Sequence, residues 1–313
     1  MMFALRGMAI ALALFFLAYC SFSLLVVCGS RWLVKLSELT PRISARLLIA
    51  ARMFPLALAV GATLLVTVPS FIFMEPRGRE EGIGLAAALA ALGGAAVVVA
   101  GLSRALHALR STERVLASWL PASRALDLGA HTSTFEVAGA VPPLTLAGVC
   151  RPRLLLADSV LALLSPQELK SAVRHEMAHM RSGDNLKKLA VRAAWFPGMG
   201  KLERAWQRAA EMAADDAAVS SAAEALDLAA ALIKLSRKIP ARPLPAISMG
   251  LVQDGFVGLR VSRLLHWNQN SHRLAAKLHW LIAAAACMAI VMAATAYGPL
   301  LTQVHTLTEW LVR

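Results

Sequence analysis

The chain has 313 residues, 58% of them hydrophobic, with a formal net charge of +13 and a mean hydropathy of +0.60. That apolar content lies far above the globular norm and excludes an ordinary soluble protein. The positive charge points to a membrane surface rather than to nucleic acid, for which the chain carries no motif, so no direct nucleic-acid binding is expected.

In chain order, residues 8–28, 53–74 and 83–103, and later 278–302, contain no Lys, Arg, Asp or Glu. Each is long enough to cross a bilayer core of about 30 Å. The first is expected to stay as a span rather than to be cleaved as a signal peptide, since only Arg6 precedes it and strong basic charge follows it. Tyr19 before Cys20 speaks against lipidation. The loop 29–52 holds Arg31, Lys35, Arg42, Arg46 and Arg52 against Glu38, whereas in 75–82 Arg77 and Arg79 are outnumbered by Glu75, Glu80 and Glu81. Basic loops stay inside, so the N-terminus and the tail 303–313 are expected outside and residues 104–277 in the cytoplasm. In the third span Ala90 and Gly94 are four apart, which suits close helix packing.

After Ser103 a helix is expected to continue, carrying Arg104, Arg110 and Arg114 beside anionic lipid head groups. Two short strands follow, around 144–146 and 154–156, joined through Gly148 and Pro152. An open edge of this hairpin could pair with an extended substrate. Residues 239–250, with Pro240, Pro243 and Pro245, read as a loop. Cys20, Cys28 and Cys287 lie in predicted spans and Cys150 in the cytoplasm, so no disulfide framework is expected.

The most informative stretch begins at Ser165. Ser165 can cap a helix, Pro166 suits its first position, and Glu168 can close a capping box. The helix then carries His175-Glu176-Met177-Ala178-His179. Histidines four apart share a face and can meet one metal ion, while Glu176 stands beside it, placed to take a proton from water. A tetrahedral catalytic zinc needs a third protein ligand and one open position. Six residues after His179 the chain has Asn185, which excludes a third histidine there. About thirty residues on, a second helical run offers Glu211 and, one turn later, Asp215. Glu211 completes a His, His, Glu set, and Asp215 is placed to accept the outer N–H of a ligand histidine and fix its tautomer. Arg260, Arg263, His266 and His272 are the groups nearest to hand for an oxyanion.

The run HEMAHMRSGD, then WFPG, then EMAADDAAV, preceded by GVCRPRLLLADSVLALLSPQEL and followed by LRVSRLL, resembles the bacterial antirepressor metallopeptidases of the BlaR/MecR kind. These are integral membrane gluzincins, and the similarity covers about Val141 to Leu265. The resemblance implies Zn2+ held by His175, His179 and Glu211, catalysis by Glu176, and residence in a bacterial cytoplasmic membrane. It further implies cleavage of a cytoplasmic transcriptional repressor, or of the chain itself, in signal transduction. Sensor members carry a penicillin-binding domain after the last span, whereas this sequence stops at Arg313. The signal is therefore expected through a partner membrane protein or the bilayer, without covalent beta-lactam binding.

The expected fold is an α-helical polytopic membrane protein with four transmembrane helices and a mainly helical α+β zincin-like metallopeptidase domain. Two other readings keep the same residues. One is a quality-control protease resembling the HtpX kind, in which two spans rather than three precede the motif. The other is a non-catalytic scaffold with a metal site, against which stands Glu176 beside an open coordination position.

Overall fold

The computed structural model describes residues 2–35, 40–75, 83–127, 132–138, 142–238, 245–251, 256–267, 298–299, 301–304 and 306. Three helical stretches of 33, 34 and 35 residues are long and apolar enough to cross a membrane. The first, Phe3–Lys35, lies within α1 (Met2–Lys35). The second is α2 (Pro41–Ala62), which passes through a π-turn at Thr63–Thr67 into α3 (Val68–Met74). Pro69 has no N–H to donate to the turn before it, and the helix widens there. The third is α4 (Leu85–Trp119).

At 1.5 Å per residue each stretch is about 50 Å long, so all three overshoot a bilayer core of about 30 Å. The helix expected after Ser103 is the continuation of α4. The fourth expected span, 278–302, lies outside the described residues except near its end, where the Leu301 carbonyl accepts a hydrogen bond from Ser70 Oγ at 3.0 Å. The tail, 303–313, lies largely outside them too.

The helices pack through small residues. A Cβ at Gly94 would collide with the Leu12 carbonyl of α1, so α1 and α4 approach at backbone distance. At one end of the bundle Arg6 pairs with Glu75 at 3.0 Å.

The remaining chain folds as a small sheet against helices. Its strands are β1 (Ser123–Leu126), β2 (Thr134–Val137), β3 (Leu144–Ala147), β4 (Arg153–Ala157) and β5 (Ser248–Gly250). Their order is β1-β2-β4-β3-β5, with β2 and β4 parallel and the other neighbours antiparallel. The expected hairpin is β3 and β4, in register Leu144 to Leu156 and Leu146 to Leu154. Neither of its strands is an open edge, because β2 and β5 cover them, so the hairpin offers no free backbone to a substrate. The last residues of the Pro-rich loop supply β5, which three residues are too short to announce by alternation.

Helices α5 (Asp158–Leu163), α6 (Pro166–Ser182), α7 (Asp184–Ala193), α8 (Gly200–Ala218), α9 (Ala222–Lys238) and α10 (Val257–Leu265) complete the described fold. One core joins the sheet to the helices through Leu144, Leu154, Leu156, Leu228 and Leu232. A second joins α2 to α7 and α8 through Leu48, Val191, Leu202 and Trp206.

The turn between α7 and α8 is inserted among the long helices. Tyr19 Oη of α1 donates to the carbonyls of Ala194 at 2.9 Å and Trp195 at 3.1 Å. Its ring meets Phe196 edge to face at 5.8 Å between centroids. Gly101 of α4 lies against the Ala193 carbonyl, where a Cβ has no room. Arg52, placed by its sequence neighbours in a basic loop, is instead 1% exposed within α2. It pairs with Glu203 of α8 at 2.9 Å and donates to the Val191 carbonyl of α7 at 3.2 Å.

Candidate metal centre

The local code of α6 works as written. Ser165 accepts from the Glu168 amide, and the Glu168 carboxylate accepts from the Ser165 amide at 2.8 Å. Lys234 of α9 anchors the same carboxylate at 2.7 Å. Burial alone would raise the Glu168 pKa, but Lys234 and the cap outweigh it and hold it below the usual carboxylate range. The helix ends at Gly183, whose φ of 69° only glycine adopts without strain. This left-handed residue lets α7 start at once and turns Asp184 back toward the motif.

The structure brings together His175, His179 and Glu211, whose ligand atoms all lie within 4.8 Å of one another. The two Nε2 atoms are 3.1 Å apart. His175 Nε2 is 3.4 Å from Glu211 Oε2, and His179 Nε2 is 3.5 Å from Glu211 Oε1. Two donors that each lie about 2.1 Å from one tetrahedral ion stand about 3.4 Å apart. The three observed separations cluster around that value.

Each histidine is backed on its outer nitrogen by a carboxylate. His175 Nδ1 lies 3.0 Å from Asp215 Oδ1, and His179 Nδ1 lies 2.7 Å from Asp184 Oδ2. A proton held on Nδ1 leaves the Nε2 lone pair facing inward, which is the tautomer a ligand needs. Asp184 also accepts from Ser182 Oγ at 2.8 Å and from Lys187 Nζ at 2.7 Å. Sequence reasoning missed Asp184, although the Gly183-Asp184 pair directly after the motif is its signal.

Arg260 of α10, 2% exposed, fixes the other side. Its guanidinium grips Asp215 through Nε at 2.8 Å and Nη2 at 2.6 Å, and donates to the Leu251 carbonyl at 2.8 Å. Nη1 also stands 3.0 Å from Glu211 Oε2. With its donors so engaged, Arg260 positions the carboxylates. Arg263 pairs with Asp216 at 2.6 Å, and exposed His266 points Nδ1 at its own Ser262 carbonyl. His272 lies outside the described residues.

Electrostatics favour a cation at the centre. Four carboxylates (Glu176, Asp184, Glu211 and Asp215) face two permanent cations, Arg260 and Lys187, so in the metal-free site the balance is made up by protons on the imidazoles and on Glu176, a place that a divalent ion can take. Burial disfavours a charged imidazole at His179, yet Glu211 and Asp184 overcome it and raise the pKa to about 10. His175 is also raised, its burial outweighed by Asp215 and Glu211. Glu211, despite burial, is held well below the usual carboxylate range by Arg260 and His179, and Asp215 is likewise depressed by Arg260.

Glu176 differs from its neighbours. Burial raises it to about 7, and neither carboxylate oxygen has a hydrogen-bond partner. A buried carboxylate without partners is costly, and it sits next to a set of inward-facing nitrogen and oxygen donors. The residues present therefore fit a metal ion, with Glu176 free to handle a proton beside it. Compared with known proteins, the chain matches no family model and no curated protein.

Proposed function

We propose that the chain is a membrane-bound metallopeptidase in which His175, His179 and Glu211 hold a zinc ion and Glu176 is the catalytic carboxylate. The observation that carries this reading is the trio of donor separations of 3.1, 3.4 and 3.5 Å beside the unpartnered oxygens of Glu176. When bound, the metal would polarise a scissile carbonyl and acidify the attacking water. Glu176, with a pKa of about 7, is poised both to accept the water's proton at its carboxylate and to pass it to the leaving amine. Asp184 and Asp215 hold the two imidazoles in the coordinating tautomer, and Arg260 keeps Glu211 and Asp215 ionised and oriented.

The substrate we propose is a cytoplasmic protein, a transcriptional repressor or the chain itself, reached from the inner face of a bacterial cytoplasmic membrane. The basic first loop supports that orientation. A partner membrane protein would supply the signal. The test compares the cellular proteome with intact chain and with Glu176→Gln. New cleavage sites that depend on Glu176 support the reading, and identical peptide termini in the two would overturn it.

A further inference from the structure

A groove of about 1190 Å³ lies between the continuation of α4 and the face of α7, bordered by α8 and by Pro245 and Ala246. Its α4 wall is built from Arg104, His107, Ser111 and Arg114, with Arg110 beside them. Steps of three, four and three residues put the first four on one helix face. The α7 wall contributes Lys188 and Arg192. Against these, the only acid lining the groove among the described residues is Glu203, and Arg52 neutralises it. The metal centre uses none of these side chains.

The surroundings specify the ligand further. Arg104 stacks over the Trp195 ring at 4.3 Å, and Trp195 is 49% exposed, as a residue of the membrane interface can be. Leu102, Val99 and Val98 of α4 are exposed and stand four, seven and eight residues before Leu106, which lines the groove, so they share its side of the helix. A basic pocket thus opens onto an apolar strip at the end of a helix long enough to cross a membrane. An anion alone needs only the first part. An amphiphile with a phosphate head and acyl chains matches both.

We propose that this groove seats the headgroup of an anionic phospholipid, its phosphate among Arg110, Arg114 and Arg192 and its acyl chains along Leu102 and Val99. The proposal rests on the chain being a membrane protein and is independent of peptidase activity. Lys188 links the groove to the sheet, since its Nζ donates to the Ser248 carbonyl at 2.7 Å. Headgroup binding would therefore brace α7 and, through Asp184 at its start, the support of His179.

The test is native mass spectrometry of the purified full chain in detergent, titrated with phosphatidylglycerol, with phosphatidylcholine, and with inorganic phosphate. The wild type should retain phosphatidylglycerol well above phosphatidylcholine, and millimolar phosphate should not displace it. Arg110→Gln/Arg114→Gln/Arg192→Gln should bind it about 100-fold more weakly. A charge-matched control, Arg151→Gln/Lys170→Gln/Arg237→Gln, on exposed positions away from the groove, should bind as the wild type does. Unchanged retention by the groove variant, equal loss in the control, or equal binding of phosphatidylcholine would each overturn the proposal. So would displacement by phosphate, which would make this a free-anion site. Far-ultraviolet circular dichroism, measured in parallel, shows that the variants are folded and keeps this result separate from the peptidase reading.

Discussion

His179 Nδ1 and Asp184 Oδ2 lie 2.7 Å apart across a helix end, so the residue that opens α7 holds the ring that closes the motif on α6. Carboxylates in this position set ligand tautomer and basicity. Asp184→Asn should weaken zinc binding about 10–100-fold while leaving the ligand set intact. Competition with a chromophoric chelator measures this, and unchanged affinity would mean that the contact is only structural.

Asp215→Ala should behave differently from Asp184→Asn. It removes the partner of His175 and also strands the buried guanidinium of Arg260. Breaking a buried pair by removing one side costs about 3–5 kcal/mol, so this variant should lose stability as well as metal. Chemical denaturation with and without chelator separates the two losses. A variant as stable as the wild type would contradict the role given to Arg260.

Glu176→Gln should keep its metal and lose activity about 10²–10⁴-fold. Because both oxygens of Glu176 are buried without a partner, the neutral amide should fold at least as stably as the wild type at pH 8, above the raised pKa of about 7. A melting curve checks the second half of this prediction independently of any substrate. A clear drop in melting temperature would show that the carboxylate is needed for the fold.

Metal affinity should rise with pH. In the metal-free protein His179 titrates near 10, yet it must be neutral to coordinate, so each ion bound at neutral pH releases a proton. The expected slope is up to about tenfold per pH unit below that value. The same imidazolium stabilises the metal-free fold fully below its unfolded pKa of about 6.5, and that contribution is lost as pH rises through about 10. Calorimetry in buffers of different ionisation enthalpy counts the protons. A flat profile between pH 6 and 9 would contradict the shift.

Arg52→Ala should destabilise the chain by about 3 kcal/mol, since it removes a buried guanidinium from its contacts with Glu203 and the Val191 carbonyl. Arg52→Met combined with Glu203→Gln should recover most of the loss. Tyr19→Phe, which removes the hydroxyl held by the Ala194 and Trp195 carbonyls, should cost about 1 kcal/mol. Unfolding in mixed micelles followed by tryptophan fluorescence would read all three.

What could be read before folding was the part written in short-range code. Ser165, Pro166 and Glu168 form their box within four residues, and His175 and His179 share a face by helix geometry alone. Glu211 was legible because it, too, is spaced on a helix. Asp184 was not, since its role depends on the chain reversing at Gly183. Strands of three or four residues such as β1, β2 and β5 are too brief to show a period, and β2 pairs in parallel with a strand beyond β3. Tyr19 and Arg52 were sorted by their neighbours into a span and a loop. Their partners at Ala194 and Glu203 are 175 and 151 residues away.

The insertion of the turn between α7 and α8 among α1, α2 and α4 makes two assembly events interdependent. The same hairpin presents Asp184 at one root and Glu211 at the other, and its tip is clasped by Tyr19 and Gly101. Whatever spreads the long helices would also slacken the His175, His179 and Glu211 cluster. By thermodynamic reciprocity an ion bound there would tighten the bundle by the same factor. Excised from its helices, residues 104–267 would keep the motif and lose the clasp, so the metal would be held by a fragment whose two roots are no longer tied to a common frame.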